Sequence, residues 1–270
     1  MPVERTSGCT LFYQLSGTGP RLLLINGSGV TLESSTLLVG ALSERFELLA
    51  YDHRGMGRSG EVTAPYAMSD CAADTLAVLD AVGWETAPVL GISFGGMVAQ
   101  EVAIVAPARV EGLALLCTSS GGAGGSSYPL HELEDCTPEE RVHRRRTLMD
   151  TRFNEEWLAL HPADLRLVEM MEDRGPEPGP SGQLGARLQL DARRYHDTWD
   201  RLPAIDHPTF VGAGRFDGIA PLGNSEAMAS RIPHGTLHVY EGGHAFLAQD
   251  PRAIGDVVEF LTAMPSAHAG

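Results

Sequence analysis

The chain has 270 residues, 43% of them hydrophobic and 20% charged, and its 20 Lys and Arg face 35 Asp and Glu for a formal charge of −15. A chain of this length buries a large core, and its excess of carboxylates argues against nucleic acid or an anionic membrane as partner, because both demand cationic surface. Cys9, Cys71, Cys117 and Cys136 lie far apart, without the paired spacing of a zinc site or a disulfide framework.

No apolar signal segment follows Met1 and no run approaches membrane-spanning length, so a cytoplasmic protein with reduced thiols is expected. In chain order, apolar β-rich runs predict strands over 10–14 and 21–25, a helix near 34–43, and a strand over 46–51. A helix over 69–82 follows, then a strand over 88–92, a helix over 94–105 and a strand over 110–117. Strands that are apolar throughout and alternate with helices imply a parallel sheet covered on both faces.

That rhythm breaks between residues 121 and 201. The stretch opens on Gly121-Gly122-Ala123-Gly124-Gly125 and then carries only helical patterns, at 138–149, 155–159 and 162–171. A Gly- and Pro-rich segment at 175–182 reads as a loop, and a further helical stretch runs on to about Trp199. We read 121–200 as a helical cap over the strand ends, and 1–120 with 201–270 as the core. The core resumes with strands over 208–212 and 236–240 and helices over 225–231 and 251–263.

Gly91-Ile92-Ser93-Phe94-Gly95 lies between the strand at 88–92 and the helix at 94–105. That is the order of a nucleophile elbow, where a sharp turn lifts a serine hydroxyl above the sheet. Side chains two residues either side would collide across the turn, hence the glycines. A serine hydroxyl needs a base to take its proton, and the base needs a third group to hold it. Asp217 falls in the loop after the strand at 208–212 and His244 in the loop after 236–240, so the catalytic candidates are Ser93, Asp217 and His244. The loop after the strand at 110–117 holds no carboxylate to replace Asp217. His53, the rival base, and Asp52 lie before the nucleophile, where Asp52 and Arg54 are expected to brace their own loop.

Acyl transfer also needs donors aimed at the developing oxyanion. Backbone N–H groups of Phe94 and Ser28 are the candidates, with Gly29 next after Ser28. Gly27 and Gly29 let the chain approach a substrate closely.

Together, the elbow, the segment Asp52-x-Arg54-Gly55-x-Gly57-x-Ser59, Asp217 and Gly243-His244 resemble the α/β-hydrolase superfamily over essentially the whole chain. Leu188-Gln189-Leu190-Asp191 and Arg201-Leu202-Pro203-Ala204-Ile205 are similar to its small-cap branch of cofactor-free bromoperoxidase-like proteins, enol-lactonases and esterases. The resemblance implies the α/β-hydrolase fold, a mostly parallel sheet with helices on both faces and a helical cap inserted after the sixth strand. Asn26 departs from the histidine often found before the oxyanion glycine. Ile92 stands where carbon–carbon bond hydrolases of this fold often carry asparagine, and Ser93 where epoxide hydrolases and haloalkane dehalogenases need a carboxylate.

The function expected is therefore that of a serine hydrolase acting on a small-molecule ester, lactone or thioester, with no cofactor and no metal. The alternatives are a cofactor-free peroxidase or perhydrolase, a carbon–carbon bond hydrolase on the same three residues, and a ligand-binding protein without turnover. Met149, Trp157, Leu160, Met170, Met171 and Trp199 are candidates for an apolar substrate pocket, and the run Arg144-Arg145-Arg146 reads as solvated helix surface.

Overall fold

The computed structural model describes residues 3–6, 8–172 and 179–264. Among them, eight strands form one sheet: β1 (Val3–Thr6), β2 (Cys9–Ser16), β3 (Arg21–Ile25), β4 (Glu47–Tyr51), β5 (Ala87–Ile92), β6 (Val110–Leu116), β7 (Thr209–Gly214) and β8 (Gly235–Tyr240). Their spatial order is β1-β2-β4-β3-β5-β6-β7-β8. β1–β2 and β2–β4 pair antiparallel, and every later neighbour is parallel, giving the mostly parallel sheet expected.

The strands carry apolar residues on both faces because both faces are covered. Leu23, Ile25, Leu49, Tyr51, Val89, Leu113, Leu115 and Val211 enter one core with helices α2 (Met68–Ala81), α3 (Phe94–Val105) and α8 (Leu222–Arg231). Their neighbours in sequence, Leu22, Leu24, Leu48, Leu90, Leu116 and Phe210, enter the opposite core with α1 (Thr36–Ser43) and α10 (Ala253–Thr262). Each fully buried side chain of this size contributes about 1.5–3 kcal/mol. Polarity alternation is thus absent from the central strands.

Between β6 and β7 the chain is helical. It runs through short 3-10 turns at Gly122–Gly124 and Leu130–Asp135, then α4 (Pro138–Met149), α5 (Glu155–Leu160), α6 (Pro162–Glu172) and α7 (Pro180–Arg194), and a last 3-10 turn at Trp199–Ala204. These helices touch loops that follow the carboxyl ends of the parallel strands. Gly218 N donates to Leu148 O at 3.0 Å, and Thr151 N to Phe216 O at 2.9 Å. A Cβ at Gly185 would strike the carbonyl of Gly55, so α7 rests directly on the loop after β4.

Several boundaries differ from the sequence expectation. Strand β1 was not anticipated: it is four residues of mixed polarity, held by antiparallel main-chain pairing with β2. The loop read over 175–182 ends earlier, since Pro180 opens α7, where its fixed φ and missing N–H suit a first helical position; residues 175–178 lie outside the described residues. Helix α8 begins three residues before the expected 225, and a short α9 (Phe246–Gln249) precedes α10. All four cysteines are free thiols. No helix among the described residues is long and apolar enough to cross a membrane.

Candidate active site

Ser93 occupies the turn from β5 into α3 with φ 54° and ψ −113°, a left-handed conformation rare for a residue with a side chain. The surroundings hold it there. Its N–H donates to Leu116 O at 2.8 Å, and its carbonyl accepts from Thr118 Oγ1 at 2.7 Å and from Gly96 N at 2.9 Å. A Cβ on Gly91 would press on Gly95 and Gly96, and one on Gly95 would strike the carbonyl of Ile25. The turn therefore closes only with glycine at both places.

Asp217 lies in the loop after β7 and His244 in the loop after β8, as the chain order predicts. His244 Nε2 is 3.0 Å from Ser93 Oγ, and Nδ1 is 2.8 Å from Asp217 Oδ2. A carboxylate only accepts, so Nδ1 carries the proton and Nε2 is left bare to accept from the serine hydroxyl. The other Asp217 oxygen accepts from Ile219 N and Ala220 N, each at 2.8 Å, which locks the fully buried carboxylate in place. The imidazole is fixed from α4: His244 N donates to Met149 O at 2.6 Å, and the space a Cβ would need at Gly243 is taken by that same carbonyl.

Opposite the serine runs the loop after β3. Gly27 faces it closely, with room for a Cβ only at contact distance, 3.5 Å, from Ser93 Cβ. Among the described residues, neither the Ser28 amide nor the Phe94 amide has an acceptor, as donors waiting for an oxyanion require. The Gly29 amide is already committed, donating to Gln189 Oε1 of α7 at 2.8 Å. Of the two alternatives in this loop, Ser28 is the one left free.

Beneath the loop, His53 Nε2 donates to Asn26 O at 2.9 Å and the ring meets Phe94 edge-on at 5.1 Å. Burial pushes its value down, so it packs as a neutral ring under the site and is not brought to Ser93. Asn26 Nδ2 reaches Ser35 Oγ at 3.3 Å. Asp52 ties two loops together, accepting from Leu32 N at 2.7 Å and Arg58 N at 2.9 Å. Arg54 instead forms a buried bidentate pair with Asp74 of α2 at 2.6 and 2.7 Å.

The apolar residues expected to line a pocket are mostly not gathered at Ser93. Trp157 stacks on His161 at 3.6 Å, donates to Asp164 Oδ2 and joins a separate small cluster with Phe153, Leu158 and Val168. Met170 is 57% exposed and Leu160 is 72% exposed, so both face outward. Trp199 lies under Arg231 and against the position a Gly124 Cβ would occupy. Met171 is half-buried on α6. Only Met149 touches the site, through its carbonyl. Arg146 is a helix-surface residue, as expected, paired with Glu172 of α6 at 2.6 Å.

A cavity of ≈ 210 Å³ opens instead beside the second turn of α3, lined among others by Met97, Ser119, Tyr128, Leu190, Arg193 and His196. Sequence patterning assigned no site role to Gln189, Arg193 or His196, Gln189 entering only within the Leu188-Gln189-Leu190-Asp191 resemblance. A signal for the first two existed. Gly185, Leu188, Gln189, Ala192 and Arg193 form the buried stripe of α7, so two long polar side chains stand on its apolar face.

Known proteins share this architecture. Residues 20–251 match the family described as alpha/beta hydrolase fold. A protein of Azorhizobium caulinodans named as a candidate carbamate hydrolase, RutD, is 29% identical over 266 residues, covering 96% of this chain and 97% of its own. The poly(3-hydroxyalkanoate) depolymerase of Ectopseudomonas oleovorans is 29% identical over 238 residues, covering 88% of this chain and 82% of its own. The crystal structure of a hydrolase from Pseudomonas aeruginosa aligns at 29% identity with a TM-score of 0.75, covering 97% of this chain and 98% of that one. With the match running from β3 to the end of the histidine loop and beyond, the chain belongs to the alpha/beta hydrolase fold family.

Proposed function

We propose that the protein is a serine hydrolase that cleaves a small-molecule carboxylic ester, lactone or thioester through an acyl-enzyme on Ser93. The observation that carries this reading is the unbroken hydrogen-bond chain from Ser93 Oγ through His244 to the buried Asp217, at 3.0 and 2.8 Å. As the hydroxyl attacks the carbonyl carbon, its proton passes to His244 Nε2, and Asp217 steadies the imidazolium that forms. The oxyanion is held by the Phe94 and Ser28 amides. His244 then protonates the leaving group, and water activated by the same imidazole releases the acid. No step calls for a metal or an organic cofactor.

Residues 121–200 act as a cap over the core of 1–120 and 201–270, closing the mouth above Ser93. The contacts of α4 with the Asp217 and His244 loops, and of α7 with the Gly29 loop, support that reading. The relatives named for carbamate hydrolysis and for poly(3-hydroxyalkanoate) depolymerisation also fit chemistry at a carbonyl carbon.

The test is hydrolysis of nitrophenyl esters, acetyl through octanoyl, by wild type and Ser93→Ala side by side. Loss of at least about 10³-fold in the variant is expected. Equal turnover by both proteins refutes the role of Ser93, and undiminished turnover by His244→Ala refutes that of His244.

A further inference from the structure

Buried charges in folded proteins are ordinarily paired, because an unpaired ion loses its hydration without compensation. Arg193 breaks that rule. It is 8% exposed, forms no ion pair among the described residues, and its Nη1 is buried without a hydrogen-bond partner. Its Nη2 donates to Tyr128 O at 3.2 Å, which fixes the guanidinium at the cavity wall. Burial alone pushes its value down, to about 10, so the group stays cationic at neutral pH.

The rest of the cavity suits an anion. His196 is 6% exposed with both ring nitrogens unpartnered, and Ser127 Oγ contacts Ser119 Oγ at 2.7 Å on the same wall. In a chain of net charge −15, no carboxylate among the described residues lines this cavity. Glu101 approaches His196 from behind at 3.9 Å but is engaged by Arg201 at 2.6 and 2.8 Å.

Two helices that line the cavity also carry residues tied to the site. On α3, Met97 stands one turn after the serine. On α7, Arg193 stands one turn after Gln189, whose Oε1 holds the Gly29 amide. Four residues of helix span about 6 Å. A separation of that order is what a short acyl chain spans.

We propose that this cavity is a carboxylate subsite, and that the substrate cleaved at Ser93 carries a carboxylate at the far end of its acyl chain. Arg193 Nη1 and an N–H of neutral His196 hold that group by charge-assisted hydrogen bonds. The inference rests on the serine-hydrolase reading for its location and deepens it by naming the substrate class.

Two measurements test it. The first is calorimetric titration of the wild-type protein with adipate, then of Arg193→Met and Arg193→Lys. Saturable binding is expected, weakened about tenfold or more by methionine and less by lysine. No binding to wild type, or inorganic phosphate binding as tightly as adipate, overturns a carboxylate subsite. The second compares the mono-nitrophenyl ester of adipic acid with the same ester bearing a methyl-capped far end. Wild type should prefer the free acid about tenfold or more in kcat/KM, through KM, with the preference collapsing in Arg193→Met. Equal rates on the two esters by wild type, or an unchanged preference in the variant, overturn the proposal. Turnover that survives Ser93→Ala sinks the hydrolase reading instead, and the adipate titration still decides the subsite.

Discussion

Replacing His196 with leucine should flatten the protein's loss of stability between pH 7 and pH 5. The ring is buried between α7 and the first residues after β6, and burial pushes its value down to about 4. Neither nitrogen has a hydrogen-bond partner among the described residues; Glu101 Oε1 stands 3.9 Å from Nδ1, and the nearby Ser119 carbonyl already accepts from Gln100 Nε2 at 3.1 Å. In the unfolded chain a histidine titrates near 6.5. Between about pH 4 and 6.5 the unfolded state therefore binds the extra proton, and stability falls as the pH drops through that window. The linkage from pH 7 to pH 5 comes to about 2 kcal/mol. Leucine orphans no hydrogen-bond partner, so the substitution removes the titration without opening a new deficit. Urea unfolding of both proteins at the two pH values, in carboxylate-free buffers, reads the difference directly. The stability of the variant relative to wild type should rise by about 2 kcal/mol on going to pH 5. A relative stability that does not change with pH would refute the reasoning.

The Arg54–Asp74 pair is almost wholly buried, with side chains 6% and 2% exposed, so Arg54→Met should cost about 3–5 kcal/mol by removing the cation that Asp74 faces. Adding Asp74→Leu to that variant should recover much of the loss in urea unfolding; a double variant no better than the single one would count against the lost cation as the cause. Gln189→Leu removes the acceptor of the Gly29 amide and should lower kcat on a neutral ester about tenfold, with KM changed less, because the loop carrying the Ser28 amide loses its anchor. Gln189→Glu, which keeps the acceptor, should restore most of kcat, and a loss confined to KM in Gln189→Leu would rule out a positioning role.

Much of the fold is written in the run lengths of apolar residues. Residues 22–25 of β3, 87–92 of β5 and 112–116 of β6 are apolar without alternation because each strand is covered on both faces, and that property survives without any tertiary information. The loop positions of Ser93, Asp217 and His244, the three residues proposed for the site, were legible for a related reason. Each sits just past the carboxyl end of a strand, and strand ends are set by hydrophobicity plus the glycines of the following loop. β1 was not legible, since Val3-Glu4-Arg5-Thr6 is short and mixed, and only its main-chain pairing with β2 makes it a strand. Nor was the direction of Trp157, Met170 or Trp199. Apolarity says that a side chain seeks cover, and packing among α4 to α7 decides where it finds it.

The informative residues between β6 and β7 are therefore the polar ones on an apolar stripe. An amphipathic helix docked on a core has no reason to bury Gln189 and Arg193 one turn apart unless each meets a polar group. Gln189 meets the Gly29 amide, and so ties α7 to the loop that carries Ser28. Among the described residues, Arg193 meets only Tyr128 O, at the wall of the cavity. The two side chains come off the same face of one helix, so a ligand that pulls on Arg193 bears on the helix that anchors Gly29. On the proposal made above, one helix then carries both the anchor of the Gly29 loop and the group that holds the far carboxylate, and that binding energy is read in KM.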